Sequence, residues 1–270
     1  MSTPIDKTVA STAEAVADIA SGASIAVGGF GLSGIPWFLI EALLDHGAGE
    51  LTIVSNNCGV DGAGLGLLLE ARRITRVIGS YIGNNREFGR QYLAGELTVE
   101  LIPQGTLAER LRAGGAGIGA FFTPSGVGTL IAEGGMPWRY DADGNVTVSS
   151  PPKEVRMFQG QEMVLEESIV TDVALVRAAR VDRVGNCVFH AAAQNFNPPA
   201  AMAGRMTVVE AEQLVEPGEI DPAEVHLPGV FVQRIVELTP EQAADKSVER
   251  PTTRPRPDDD PDSDHTTEAD

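Results

Sequence analysis

The chain has 270 residues, 43% of them hydrophobic and 21% charged, enough to bury a sizeable core in one large domain or two small ones. Lysine and arginine number 20 against 38 aspartates and glutamates, and the net charge of −18 repels nucleic-acid phosphates and anionic membrane surfaces, so neither is an expected partner. No apolar run approaches the roughly 18 residues of a membrane-spanning helix and the first residues lack the layout of a signal peptide, so a cytoplasmic address is expected.

In chain order, Ser11 and Glu14 form a capping box that opens a helix with Ala13, Val16, Ala17 and Ala20 on one face, and Ser21-Gly22 stops it. A buried strand is predicted at 24–27, then a glycine-rich turn at 28–34 and a helix entered through Pro36 and running to about Asp45. The unit repeats as a strand at 51–54, the polar turn Ser55-Asn56-Asn57-Cys58-Gly59 and a helix near 65–72. It repeats again as strands at 76–81 and 98–102, the turn Pro103-Gln104-Gly105-Thr106 and a helix at 107–113. Strands alternating with crossover helices predict an α/β fold, an open and mostly parallel sheet with helices on both faces.

The later chain reads differently. Residues 138–148 carry a hairpin turn at their centre, and Asp182-Arg183-Val184-Gly185-Asn186 forms another between apolar runs at 172–178 and 187–190. With further strands at 206–211 and 230–236, this predicts an antiparallel C-terminal extension of the first sheet. Residues 1–240 thus make the folded domain. Residues 241–270 read as an acidic disordered tail, since from Ala243 on there are nine acids against four bases, with alanines and one valine as apolar residues, too little to offset the entropy of ordering.

Gly29-Phe30-Gly31-Leu32-Ser33-Gly34 matches G-x-G-x-x-G between a strand and a helix, where a dinucleotide fingerprint belongs. A nicotinamide site also requires an acid at the end of the second strand to hold the ribose, and that strand ends in Ser55-Asn56-Asn57. The plainer reading is that the glycines let the turn pass close to a neighbouring strand or subunit.

The run Ser21-Gly-Ala-Ser-Ile-Ala-Val-Gly28-Gly29-Phe30-Gly31-Leu-Ser-Gly34-Ile-Pro36 resembles the first signature of the CoA-transferases. It departs at Ser21, where that family has Asp or Asn, and a serine accepts the same capping hydrogen bond. The likeness continues through Val54 to Asp61, Arg90 to Leu97, Pro103 to Arg110, Arg112 to Gly117 and Asn195-Phe196-Asn197, about Thr12 to Leu238 in all. It is closest to the A (alpha) subunits of the succinyl-CoA:3-ketoacid (3-oxoacid) type.

That resemblance implies a transferase working through a glutamate that is acylated and then carries CoA as a thioester. In the family this glutamate lies in the B half, within a Glu-Asn-Gly element, and no Glu-Asn-Gly occurs in this sequence. Glu41, Glu96, Glu109, Glu133, Glu166 and Glu167 read instead as helix-face or cap residues. The chain is therefore expected to be one half of a two-chain enzyme, a heterodimer or heterotetramer with a CoA-transferase B subunit. Acyl-CoA and a carboxylic acid are its substrates, with no permanently bound cofactor and no metal. By resemblance, Gln104 donates to the thioester oxyanion, Asn56 and Asn57 hold the substrate carboxylate or orient the nucleophile, and the turn of Gly28, Gly29, Phe30, Gly31 and Gly34 lies against substrate. Asn and Gln at strand ends are also ordinary turn residues.

The remaining chemistry-bearing residues have plainer readings. Cys58 and Cys187 are in no CxxC spacing, and Cys58 reads as a small buried apolar residue rather than a reactive thiol. His46, His190, His226 and His265 have no partner at metal spacing. Gly114-Gly115-Ala116-Gly117 suits a close backbone approach to substrate or to the B-type partner; Arg110 and Arg112 suit either CoA phosphates or the charge of a helix end. Three readings stay open: this A-type half of the enzyme, with acetate or another short-chain acid as the rival acceptor to acetoacetate; a small-molecule binding module of the same fold; and a nicotinamide oxidoreductase.

Overall fold

In a computed structural model, residues 6–246 and Glu249 are described. The first half follows the strand-helix repeat: β1 (Thr8–Val9), α1 (Thr12–Val16), β2 (Ser24–Val27), α2 (Trp37–His46), β3 (Leu51–Val54), α3 (Gly66–Glu70), β4 (Ile74–Gly79), α4 (Arg86–Leu93), β5 (Thr98–Leu101) and α5 (Gln104–Gly115). An excursion follows, of β6 (Ala120–Thr123), α6 (Leu130–Glu133), β7 (Pro137–Tyr140), β8 (Val146–Ser149), β9 (Val155–Phe158) and β10 (Gln161–Glu167). The chain then returns through β11 (Thr171–Ala178), β12 (Arg180–Asp182), β13 (Cys187–Val188), α7 (Asn197–Ala203), β14 (Gly204–Ala211), β15 (Leu214–Val215), β16 (Arg234–Glu237) and α8 (Pro240–Ala244).

Eight strands form one sheet in the order β1-β16-β14-β11-β2-β3-β4-β5, and every neighbouring pair in it is parallel. Alternate side chains enter two cores. Ile25, Val27, Leu51, Ile53, Val173, Leu175 and Val208 face one packed by α1, α2, α3 and α4 residues such as Val16, Leu39, Leu68 and Phe88. Ala26, Val54, Ala174, Val176, Val209 and Ile235 face the other, packed by Leu107 and Leu111 of α5 and Ala200 and Ala203 of α7. A parallel sheet buried on both sides explains why β11, TDVALVRA, reads as an almost unbroken apolar run.

This corrects the expected antiparallel extension. β11, β14 and β16 join the main sheet in parallel, because α7 and the long connection after β15 carry the chain back across before each new strand. The hairpin expected at 138–148 forms, β7 with β8; the turn at 182–186 also forms, but it joins β13 to the short β12 and not to the run at 172–178, which is β11 of the main sheet. Helix α4 was not foreseen; Asn85 caps it by accepting from the Phe88 N–H at 2.8 Å, and Phe88 is buried. Helix α5 begins at Gln104, three residues before the expected start, so Gln104 is its first residue rather than part of a preceding turn.

The segment expected to be a tail begins with order. Thr239 and Gln242 form a capping box for α8, and Lys246 pairs with Glu212. The rest of that expectation, apart from Glu249, lies outside the described residues. Among the described residues no helix is long and apolar enough to cross a membrane.

Candidate active site

The strand order reverses between β2 and β11, neighbours from which the chain continues in opposite directions across the sheet. In open parallel sheets, ligand sites gather at the carboxyl ends of strands near such a switch. At that edge β3, β4 and β5 lie side by side, and the chain just beyond each carries Asn56-Asn57, Ser80 and Gln104 respectively.

These side chains form one directional hydrogen-bond chain. Gln104 Nε2 donates to Asn56 Oδ1 at 2.8 Å, and Ser80 Oγ donates to the same oxygen at 2.8 Å. With its oxygen doubly engaged, Asn56 turns its Nδ2 toward Asn57 Oδ1 at 3.2 Å, which also accepts the Gly31 N–H at 3.0 Å. Asn57 Nδ2 in turn donates to Gly59 O at 3.3 Å. Asn56 and Asn57 are buried, 2% and 7% exposed, whereas Gln104 is exposed. A primary amide carries two N–H bonds, so the Gln104 amide bonded to Asn56 retains a second donor for an incoming oxygen. Gln104 also heads α5, whose first-turn N–H groups lack intrahelical acceptors and give that end a partial positive charge. Ser80 was not foreseen; a hydroxyl just past the apolar run of β4 was the available signal.

The glycine turn supplies shape. A Cβ on Gly28 would stand 1.9 Å from Asn197 Oδ1, and Asn197 is fully buried, donating to Gly34 O at 2.9 Å and Ala193 O at 2.7 Å. Gly34, at φ +67°, would bring a Cβ within 2.8 Å of Ala193. Gly29 packs against Ile35, and Gly31 offers its N–H to Asn57. Phe30 is 46% exposed at the lip of an open cleft of about 820 Å³, lined also by Leu32, Val60, Asn84 and Arg86. Gly28, Gly29 and Gly34 thus serve close packing against Asn197, Ile35 and Ala193, while a Cβ on Gly31, at φ +62°, would meet open space.

Other sequence candidates stand elsewhere. Cys58 is 1% exposed and burial pushes its thiol up, so it serves as a core residue. His226 Nδ1 accepts from the Phe189 N–H, and His46 Nε2 lies 3.1 Å from Ala17 O. Among the described residues no group of three or more His, Cys, Asp or Glu is arranged to hold a metal ion. Gly114 and Gly115 pack against Ile169 O and Met202, and Arg112 pairs with Glu109. Of the glutamates considered, Glu96 pairs with Arg72 and Arg90, and Glu166 with Lys153.

Residues 9–238 match the Coenzyme A transferase family model. The A subunit of a probable succinyl-CoA:3-ketoacid coenzyme A transferase from Mycobacterium tuberculosis is 64% identical over 250 residues, 93% of this chain and 100% of that one. The human mitochondrial succinyl-CoA:3-ketoacid coenzyme A transferase 2 is 49% identical over 246 residues, 91% of this chain but 47% of that protein, so this chain spans about half its length. In fold, the chain is similar to a crystal structure of an acyl-CoA transferase from Escherichia coli O157:H7, with a TM-score of 0.72 at 23% identity over 89% of this chain and 49% of that one. The polar amides at the strand ends therefore stand in a known frame: the chain belongs to the coenzyme A transferase family.

Proposed function

We propose that this chain is the A-type half of a transferase that moves CoA between succinyl-CoA and a 3-oxoacid such as acetoacetate, and that a B-type partner chain supplies the nucleophilic glutamate. The observation that carries the reading is the Gln104-Asn56-Asn57 chain, uncharged donors held at a sheet edge in a sequence with no Glu-Asn-Gly element. The identity to proteins named as the A subunits of such enzymes supports it.

The chemistry divides between two walls. A partner glutamate attacks the acyl carbon of succinyl-CoA, and the carbonyl oxygen takes up negative charge. The free N–H of Gln104, with the α5 N-terminus behind it, stabilises that oxygen. Collapse expels the CoA thiolate and leaves a succinyl-glutamyl anhydride; the thiolate then attacks the glutamyl carbon and releases succinate, leaving a glutamyl-CoA thioester. Acetoacetate attacks the glutamyl carbon of that thioester through its carboxylate and expels the CoA thiolate, leaving an acetoacetyl-glutamyl anhydride; the thiolate then attacks the acetoacetyl carbon, forming acetoacetyl-CoA and freeing the glutamate carboxylate. Asn56 keeps Gln104 aimed, and Asn57 couples that amide pair to the glycine turn at the lip of the cleft.

The reading is tested by incubating the complex of this chain and its B-type partner with succinyl-CoA alone, then measuring the mass of each chain. A CoA adduct on the partner only is expected. An adduct on a glutamate of this chain would overturn the division of roles.

A further inference from the structure

Gln104 stands at the first position of α5, and the middle of the same helix is gripped by a largely buried cluster of charges. Arg110 lies six residues on, about 9 Å along the axis. Its Nη1 donates to Glu100 Oε1 on β5 at 2.9 Å, and its Nε donates to the Glu167 carbonyl on β10 at 2.6 Å. Nη1 also stands 3.9 Å from Glu166 Oε2. Each carboxylate has a second cation: Arg76 on β4 reaches Glu100 Oε2 at 2.8 Å, and Lys153 reaches Glu166 Oε1 at 2.6 Å. One guanidinium therefore fastens α5 both to the strand that precedes it and to the small antiparallel sheet formed by β6, β10 and β9.

Two further contacts act at the same place. The Ile169 N–H donates to Arg110 O at 2.8 Å, and Gly114 lies so close to Ile169 O that a Cβ there would meet it at 1.9 Å. Glu166 is 1% exposed and Arg110 12% exposed. The three buried charges, Glu166, Glu100 and Arg110, are poor stabilisers, because an apolar cluster of the same volume avoids their desolvation cost. What such a cluster provides is a defined geometry. The planar guanidinium meets two hydrogen-bond acceptors, Glu100 Oε1 and the Glu167 carbonyl, in directions that no apolar packing fixes, with the Glu166 carboxylate facing it at 3.9 Å.

We propose that Arg110 is a positioning residue for the transfer reaction: clamped to Glu100 and β10, it sets the angle and depth of α5 and so the place where the Gln104 amide meets the developing oxyanion. This rests on the oxyanion role of Gln104. Besides the apolar packing of Leu107 and Leu111 and the backbone contact with Ile169, α5 then has two polar side-chain anchors near its tip, the Gln104–Asn56 bond to β3 and the Arg110 clamp less than two turns behind. Loss of the rear anchor lets the tip shift, and a shift of about 1 Å at a reacting centre costs up to about a hundredfold in rate.

The test is a double-mutant cycle in the reconstituted complex. Arg110→Met retains most of the side-chain stem, and Glu100 and Glu166 keep Arg76 and Lys153, so the variant is expected to fold and assemble at a lowered melting temperature. Its kcat should fall about ten- to a hundredfold with KM changed less than about twofold. In a Gln104→Ala background the same substitution should change kcat by less than about twofold, because the group it positions is gone. Arg110→Lys, which keeps the charge but loses the fork, should show a smaller loss in the same direction and serves as the reading if Arg110→Met does not assemble. Losses that multiply in the double variant, or an unchanged kcat in both Arg110 variants, overturn the proposal. If Gln104→Ala alone leaves kcat unchanged, the donor role of Gln104 fails, and the positioning role with it.

Discussion

The turn after β2 and the turn after β3 look alike in backbone and differ in what they contribute. Each closes on a reciprocal pair of backbone hydrogen bonds, Phe30 with Ser33 at 3.0 Å and Val60 with Ala63 at 3.1 Å, and each turns through glycines at positive φ. The first presents peptide groups and packs Gly28, Gly29 and Gly34 against Ile35 and the segment around Asn197. The second is entered through Asn56 and Asn57, whose side chains reach Gln104 and Gly31. The motif that stands out most in the sequence thus makes mainly packing contacts, and the proposed chemistry falls to the plainer polar turn beside it.

The sharpest way to break that contrast is Gln104→Ala in the assembled enzyme. If the amide donates to the thioester oxyanion, turnover falls by about two to three orders of magnitude while apparent substrate binding and melting temperature hold. Lost stability with unchanged turnover would place Gln104 with the scaffold.

A scaffold residue should show the opposite signature. Gly28→Ala drives a methyl group into Asn197, which three hydrogen bonds hold in place, so the fold should lose about 1–3 kcal/mol in denaturant unfolding. Turnover per assembled complex should change less than in Gln104→Ala. An unaffected midpoint would mean that the close approach of the turn to Asn197 is not what the glycine serves.

A third effect, on the pH dependence of stability, concerns the seat of the helix that the glycine turn feeds. Glu210 accepts the Leu39 N–H at 2.9 Å near the start of α2, and Arg177 Nη1 stands 3.5 Å away. Burial pushes its carboxyl up to about 8, against the pull of Arg177 and the Phe38 and Leu39 N–H groups. Between the ordinary value of 4.5 and about 8 the folded state therefore holds a proton that the unfolded chain has released. This contribution to stability is full below the ordinary value and is lost as pH rises through the folded one. Glu210→Gln should flatten the fall in unfolding free energy across that window; an unchanged slope would assign it to other groups.

How far the sequence carried depended on the kind of signal. β2 and β3 were legible to the residue because apolar runs between turn residues mark buried strands. Helix α4 was missed because its exposed face is charged and only Phe88 and Gln91 are buried, leaving little periodicity to read. The direction of β11, β14 and β16 was misread because a hairpin turn is visible locally, while the crossover that makes strands parallel depends on where α7 packs. Asn56, Asn57 and Gln104 were picked out by family likeness, and the sheet then brought all three together with Ser80, which lies 24 residues from Asn56 in sequence. Arg110 reads in the sequence as a helix-end charge or a phosphate ligand; its two acceptors and the facing Glu166 come from β5 and β10, which no local pattern connects to α5.

The central claim, that this chain provides the donor wall of a site whose nucleophile comes from a partner, is tested most directly by steady-state transfer from succinyl-CoA to acetoacetate. The purified chain is assayed alone and after assembly with its B-type partner. No turnover above background is expected from the chain alone, with full activity restored in the complex. Turnover by the isolated chain near that of the complex would contradict the account.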